Sequence, residues 1–381
     1  MRPGSRRAEH LWLVALLLVT AAALWLYGSI DHTVLPYRDW DLRSYLTMAE
    51  AAPRLATGVH QPFCYRLLGP FLVGLLPFPE AAAFRWLTTL ALFGLAALFY
   101  RFLLAQQVAP PWAAMATAAL MLGRSTVGFV AWDHFQLNDA LSLLQIVGLF
   151  WLMQRRRWGW FALLLTLGAL TRETALLMLP VLPIFLWETQ SERRELLWAG
   201  LALIPGLAVF VLVRVFVPSG GGPGLLQSLT THLPKLLDPE SWLRLLVLPF
   251  APLTLLPLIH GRASLAFFRE GRWHLALFAL AVLASALFGQ NNERLVAPLI
   301  LLFYWLIAHL LQTTRDRRPR WLAPATLPLL LAASLHHAYA RYLLPSRTWT
   351  LALTLGSLAL ATLLWTWAAL GERQRSSITA N

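Results

Sequence analysis

Residues 196–217 of the chain read LLWAGLALIPGLAVFVLVRVFV. A helix over this stretch rises 1.5 Å per residue, so it reaches across the roughly 30 Å hydrocarbon core of a bilayer. Similar apolar runs recur from Leu11 to Leu370, and hydrophobic residues make up 58% of the 381 positions against 13% charged. The mean hydropathy is +0.60, well above that of soluble domains. The sequence therefore predicts an all-α, polytopic membrane protein.

The apolar runs predict about eleven or twelve transmembrane helices in a single membrane domain over residues 1–381. They lie near 11–30, 84–104, 111–131, 138–153, 159–170, 174–187, 196–217, 243–260, 273–289, 294–312, 321–340 and 349–370. The first run has no small-residue cleavage pattern after it, so we expect an uncleaved signal anchor. Thr171-Arg172-Glu173 interrupts the stretch 159–187, which we interpret as two short helices that meet in a polar turn.

Arginine accounts for almost all of the net charge of +13, since Lys235 is the only lysine. The positive-inside rule places arginine-rich loops in the cytoplasm, and no nucleic-acid partner is needed to explain them. On this basis both termini are predicted to be cytoplasmic, in the inner membrane of a bacterium. The cytoplasmic loops would be 154–158, 188–195, 261–272 and 313–320, and most acidic residues would face the outside.

Two outer loops are predicted, at 31–82 and 218–242. The first contains amphipathic stretches at 41–52 and 62–79, which we interpret as interfacial helices rather than crossings because their apolar residues recur at helical spacing. The second opens with a glycine-rich stretch typical of a flexible hinge. A lone cysteine, Cys64, excludes an internal disulfide framework.

Asp39 and Asp41 are the first candidates for catalysis, because they stand two residues apart directly after the first crossing. Such a pair can chelate a divalent cation, or one carboxylate can act as general base while the other orients it. The alternative is that one of them caps the helix that follows.

Three arginines, at the outer boundary of the membrane or inside it, are candidate phosphate ligands, because a guanidinium binds phosphate through a bidentate fork. They are Arg66, Arg172 and Arg294. Arg172 and Glu173 are expected deep in the membrane, where an unpaired charge costs about 2.5–3.5 kcal/mol. The alternatives are a membrane-interface anchor for Arg66 and a structural ion pair for Arg172.

Other polar residues at the same boundary are possible supporting groups. They are Asp133, His134, Glu173, Asn292 and Glu293. Helix capping is the alternative for Asn292, as it is for Asn138 or Asp139, and a satisfied interface residue is the alternative for His134.

These motifs together resemble those of GT-C type membrane glycosyltransferases. That family has many crossings and a modified Asp-x-Asp motif in the first outer loop, where this chain has Asp39-Trp40-Asp41. Similar bacterial members carry a Tyr-Arg-Leu-Leu-x-Pro-like stretch, here Tyr65 to Pro70, and a mid-chain Arg-Glu-Thr, here Arg172 to Thr174. The chain departs from many members in having no sizeable soluble domain at either end.

The resemblance implies transfer of a sugar from a polyprenyl-phosphate donor to a lipid, glycan or protein acceptor at the outer face. It implies that Asp39, or else Asp41, is the general base and that Arg66, Arg172 and Arg294 hold the donor phosphate. Two alternatives remain open: a lipid-linked sugar flippase or other transporter, and a non-catalytic subunit of an envelope-glycan assembly complex. The sugar, the acceptor and any metal requirement stay open as well.

Overall fold

A computed structural model describes residues 3–27, 41–123, 129–222, 225–286, 292–315, 319–334 and 347–379. The regular structure of these residues is entirely helical. In chain order the helices are α1 (Pro3–Tyr27), α2 (Asp41–Ala51), α3 (Leu68–Gly74), α4 (Glu80–Ala105), α5 (Pro110–Met121), α6 (Phe129–Trp132), α7 (Leu137–Gln154), α8 (Trp158–Thr171), α9 (Met178–Glu188), α10 (Arg193–Phe216), α11 (Leu225–His232), α12 (Pro239–Trp242), α13 (Leu256–Ile259), α14 (Gly261–Arg269), α15 (Trp273–Ser285), α16 (Asn292–Leu295), α17 (Ala297–Thr313), α18 (Leu322–Ser334) and α19 (Arg347–Thr379). Tighter 3-10 turns cover Phe63–Tyr65, Glu173–Leu177, Leu233–Leu237 and Leu248–Phe250, and a π-helical turn covers Leu243–Val247.

The prediction of a multi-pass helical membrane protein is confirmed. Within the described residues, five segments have the length and apolar composition of a crossing: Arg7–Leu26, Glu80–Ala105, Leu137–Gln154, Arg193–Phe216 and Leu351–Gly371. Four shorter apolar helices lie among them, at Trp158–Thr171, Trp273–Ser285, Ala297–Thr313 and Leu322–Ala333. The spanning segments therefore include fewer full-length helices than the sequence predicts.

The predicted crossing at 243–260 is not one helix. Short π, 3-10 and α turns succeed one another there, because Pro249, Pro252 and Pro257 cannot supply the amide hydrogens that a regular helix needs. The interrupted chain still packs on α17, where the rings of Phe250 and Phe303 lie with centroids 4.8 Å apart.

The arginine-rich loops meet at one end of the helix bundle. Arg156 pairs with Glu195, which joins the start of α8 to the start of α10. Glu188 lies 2.5 Å from His274 and joins the end of α9 to the start of α15. The same end holds further hydrogen bonds, between Gln106 and Gln154, between Gln312 and Gln107, and between Tyr100 and Glu9. We refer to it as the arginine-loop end.

Residues 159–187 form two arms, as interpreted from the sequence. The start of α8 and the end of α9 both lie at the arginine-loop end. Between the arms, Arg172 is extended, with φ −164° and ψ 147°, and the 3-10 turn Glu173–Leu177 follows. Glu173 pairs with Arg214 near the far end of α10, so the turn lies at the opposite end of the bundle. The helix rise over α10 separates the two ends by roughly 30 Å.

The described part of the predicted first outer loop, residues 41–82, folds against the bundle at this second end. Helix α2 matches the predicted interfacial helix at 41–52, whereas the stretch 62–79 contains only a 3-10 turn and the short α3. A side chain at Gly74 would overlap the carbonyl oxygen of Ala49, so α2 and α3 pack at backbone contact.

The start of the second outer loop lies on the first outer loop. Gly220 N donates to Val59 O and Gln61 N donates to Gly221 O, both at 2.9 Å. The glycine-rich stretch predicted as a hinge therefore has defined backbone partners over residues 218–222.

Candidate functional site

Eight charged side chains meet at the end of the bundle opposite the arginine loops, and we call them the charged cluster. Its members are Asp41, Arg66, Asp133, Asp139, Arg172, Glu173, Arg214 and Arg294. They come from six separate parts of the chain: the ends of α2, α7, α8, α10 and α16, and the loop before α3. Asp139 is the third residue of α7 and Arg214 is the third residue from the end of α10, so the cluster lies at one end of these candidate crossings rather than at their middle.

Arg294 is the centre of the charged cluster. Its Nε donates to Asp139 Oδ2 at 2.8 Å, its Nη1 to Asp41 Oδ2 at 2.6 Å and its Nη2 to Gln136 Oε1 at 2.5 Å. The guanidinium also lies over the Phe129 ring, 5.5 Å from its centroid. The planar guanidinium thus binds three acceptors from two segments, α2 and the start of α7. A lysine ammonium lacks the planar fork that this arrangement requires.

Arg172 and Asp139 form the most deeply buried ion pair of the charged cluster. Arg172 Nη1 donates to Asp139 Oδ1 at 2.5 Å, and the two side chains are 6% and 5% exposed. Asp139 therefore accepts from two arginines, one through each oxygen. The carboxylate partner required by the structural-pair alternative for Arg172 is present, and a phosphate role for Arg172 stays a prediction.

Space between Arg172 and Arg294 is scarce. The cavity that both line, together with Asp139 and Ser142, has a volume of about 10 Å³. That is about the room needed for one water molecule. In this arrangement both guanidinium groups donate to carboxylates, and a phosphate that bound between them would have to displace a carboxylate.

Arg66 lies on the other side of the charged cluster. Its Nη2 donates to Glu173 Oε2 and its Nη1 to Tyr45 Oη, both at 3.3 Å. Asn138 anchors the surrounding chain, because its amide accepts from Gly69 N at 3.1 Å and donates to Arg66 O at 3.3 Å. Asn138 therefore joins α3 to α7. Within the described residues its side chain does not cap the N-terminus of α7.

Arg214 completes the charged cluster, and the sequence analysis did not select it. Its Nη2 donates to the second oxygen of Glu173 at 3.1 Å. The guanidinium lies over the rings of Tyr65 and Phe210, at 4.8 and 3.5 Å from their centroids. A signal was available, since Arg214 is the one charged residue in the run 196–217 and a charge there needs a strong partner.

Gln136 connects the acidic members and was also not selected. Its Nε2 donates to Asp41 Oδ2 and to Asp133 Oδ2, both at 3.2 Å, while its Oε1 accepts from Arg294. Burial raises the pKa of Asp133 to about 6, against the opposing effect of the Gln136 hydrogen bond. Asp133 lies between α6 and α7, outside the spanning segments.

The structure thus brings together most of the residues that the sequence proposed. Asp41 contacts Arg294 and Gln136 and makes no side-chain cap contact within the described residues. Asp39 lies outside the described residues, and so do the side chains of Asn292 and Glu293. The described residues contain no group of three or more His, Cys, Asp or Glu suited to a metal, and a metal at Asp39 and Asp41 stays a prediction.

His134 faces an apolar groove rather than the arginines. Its carbonyl oxygen accepts from Thr88 Oγ1 at 2.7 Å, and its ring lies against Phe135 with centroids 4.4 Å apart. The groove has a volume of about 680 Å³ between α1 and α4. Its lining is mostly apolar and includes Ala21, Leu24, Trp25, Ala82, Trp86 and Phe93. It follows α4 for about three turns and ends one residue from Asp133.

The comparisons with protein-family models, with curated proteins and with solved structures each give no match for this chain. A function is therefore inferred from the geometry of the charged cluster and of the groove.

Proposed function

We propose that the chain is a GT-C type glycosyltransferase, which moves a sugar from a polyprenyl-phosphate donor to an acceptor hydroxyl at the outer membrane face. One observation carries the proposal. Asp41 Oδ2 is held by Arg294 and Gln136, while within the described residues Oδ1 accepts no hydrogen bond. Such a carboxylate is oriented and has one oxygen available at the membrane boundary, where a lipid-linked donor and a polar acceptor meet.

The chemistry needs a base and an anion site. The acceptor oxygen attacks the anomeric carbon, its proton passes to an aspartate, and the bond to the phosphate oxygen breaks to release polyprenyl phosphate with inversion. Asp39 is the first candidate for the base by position in the family, and Asp41 is the second. Arg294 orients the Asp41 carboxylate through its hydrogen bond to Oδ2 and leaves Oδ1 for the acceptor proton.

The apolar groove between α1 and α4 suits the donor tail. Its lining is mostly apolar, and its polar members are Arg85, Thr88, Thr89 and His134. A chain of isoprene units in this groove would end beside His134 and Asp133, next to the charged cluster. A bulky substitution at Ala82 should therefore raise the KM for long-chain donors more than for short-chain donors.

The arginine-loop end would face the cytoplasm of a bacterial cell, with both termini on that side. The charge asymmetry supports this orientation, since the two terminal segments and the four predicted cytoplasmic loops together carry 17 of the 30 arginines. Reporter fusions at positions 45, 135 and 230 should report the outer side.

A transport function has less support. Polar side chains extend from the charged cluster along α7 through Ser142, which lies 2.6 Å from Thr174, to Gln145, which donates to Thr171 at 2.9 Å. Beyond Gln145, which is midway along α7, the buried α7 side chains are Ile146, Val147, Leu149, Phe150 and Met153. A carrier is expected to have a polar path through the membrane, and the buried polar side chains of α7 stop halfway.

The test is transfer by the purified protein in lipid nanodiscs, with radiolabelled polyprenyl-phosphate sugars and membrane glycolipid extracts as acceptors. Asp39→Asn and Asp41→Asn are expected to lose transfer, because an amide takes up no proton. Asp238→Asn is the matched control, since Asp238 caps the exposed α12 in the other outer loop and Asn caps about as well. Full transfer by both Asp39→Asn and Asp41→Asn would refute the proposal and favour a non-catalytic subunit.

A further inference from the structure

We infer that Arg66 and Arg214, on either side of Glu173, form an anion-binding site that takes a phosphate group. We call these three residues the arginine-glutamate triad. The inference deepens the proposed function and rests on it for one point only, that the phosphate belongs to the lipid donor. It assigns phosphate binding to Arg214, and it assigns Arg172 and Arg294 to positioning carboxylates.

The charges divide the cluster into two parts. Arg172 and Arg294 lie with the acids Asp41, Asp133 and Asp139, so this part has no excess of positive charge when the acids are ionised. In the triad, two arginines share the single carboxylate of Glu173. The triad therefore keeps a formal charge of one positive unit, and an anion is the ligand that this excess favours.

Arg66 also has a donor that is not used. Its Nε is buried and forms no hydrogen bond within the described residues, and the side chain is only 10% exposed. Buried N–H groups nearly always have an acceptor in folded proteins. A phosphate oxygen beside the triad would supply one without breaking the contacts of Arg66 to Tyr45 and Glu173.

Two members of the triad, Arg214 and Glu173, are more accessible than the charged side chains of the other part, which are at most 15% exposed. Arg214 and Glu173 are 26% and 33% exposed, whereas Arg172 and Asp139 are almost fully buried. The rings of Tyr65 and Phe210 orient the Arg214 guanidinium and leave its edge for polar contacts. A ligand can therefore reach the triad at the membrane boundary without displacing a buried ion pair.

The backbone holds the two arginines at a set distance. Residues 218–222, which follow α10 and Arg214, hydrogen-bond to the stretch 59–61 that precedes Arg66. The thiol of Cys64 also contacts the Ser219 hydroxyl. A preformed pair of cations loses little freedom when it binds an anion, which favours affinity.

The experiment measures binding of farnesyl phosphate, farnesol and inorganic phosphate to the full chain in nanodiscs. Arg214→Gln is expected to weaken farnesyl phosphate binding about tenfold and to leave farnesol binding unchanged. Arg214→Lys keeps the charge and should retain most of the affinity. Arg244→Gln is the matched control, because Arg244 pairs with Glu240 on the exposed α12 and lies outside the triad. Tighter binding of farnesyl phosphate than of inorganic phosphate would identify a lipid as the source of the phosphate, and the reverse order would identify a free phosphate ligand.

Glu173→Gln separates binding from structural damage. The amide is close in shape to the carboxylate, and its neutrality raises the charge of the triad by one unit. Farnesyl phosphate should therefore bind several-fold more tightly, which a damaged fold would not produce.

Two outcomes would overturn the inference: unchanged phosphate affinity in Arg214→Gln, or weaker affinity in Glu173→Gln. If Arg172→Gln alone lost phosphate binding, the phosphate would lie between Arg172 and Arg294. The transferase proposal would survive that result as long as Asp39→Asn or Asp41→Asn abolished transfer.

Discussion

Nη1 of Arg294 lies 2.6 Å from Oδ2 of Asp41, although 253 positions separate the two residues in the chain. This contact joins the helix that follows the first crossing to the short helix α16 near the start of α17. It also sets which oxygen of Asp41 stays available. The orientation of the candidate base therefore depends on a residue that need not touch either substrate.

Arg294→Lys is expected to lower kcat for sugar transfer by at least about tenfold with little change in the donor KM. A lysine ammonium has no planar fork and leaves Asp139, Asp41 or Gln136 without its donor. Steady-state kinetics over a pH series would check this, since a mispositioned base also shifts the pH profile. Arg269→Lys at the arginine-loop end is the control. A raised donor KM with normal kcat would instead support direct phosphate binding by Arg294.

Asp139→Asn is expected to destabilise the protein by about 3–5 kcal/mol, because it leaves two buried arginines short of a carboxylate. Reversible unfolding in mixed detergent micelles would measure the change. Glu240→Gln removes an exposed pair with Arg244 and should cost no more than about 0.5 kcal/mol. Adding Arg172→Gln to Asp139→Asn should cost less than the sum of the single changes. Equal, small changes in the free energy of unfolding for Asp139→Asn and Glu240→Gln would contradict the burial of the Asp139 ion pairs.

The stability of the protein should depend on the ionisation of Asp133. The folded state raises its pKa to about 6 from the ordinary value of 3.8, so the folded state holds a proton that the unfolded state loses. The stabilisation that this bound proton gives the folded state is complete below about pH 4 and is lost as the pH rises towards 6. The difference in Tm between the wild type and Asp133→Asn should therefore change across pH 4.5–7. Parallel curves over that range would show that Asp133 is not buried as described.

Gly74→Ala is expected to destabilise the fold, because its new methyl group would overlap the carbonyl oxygen of Ala49 and separate α2 from α3. Gly200→Ala is the matched control: its methyl group would meet no atom within 4 Å, and Ala is favoured over Gly by about 0.5–1 kcal/mol in a helix interior. Thermal unfolding should move in opposite directions for the two variants. A neutral Gly74→Ala would mean that α2 and α3 lie further apart.

The sequence alone determined the class of protein and the region of the site. Apolar length predicts crossings such as α4, α7 and α10, since a helix must span a set thickness of hydrocarbon. Arginine distribution predicts that the loops around Arg156, Glu195 and His274 share one end, and the structure brings them together there. Both properties are local or additive along the chain, so periodicity and composition are enough to read them.

Tertiary structure decided which charges pair. Arg172 meets Asp139 on another helix, and Arg214, a lone charge in an apolar run, meets Glu173. Gln136 joins two carboxylates although its type and position in the chain suggest nothing unusual. An ion pair depends on the distance between two side chains in space, which the packing of separate helices sets. Sequence spacing carries no information on that distance once the partners lie on different helices.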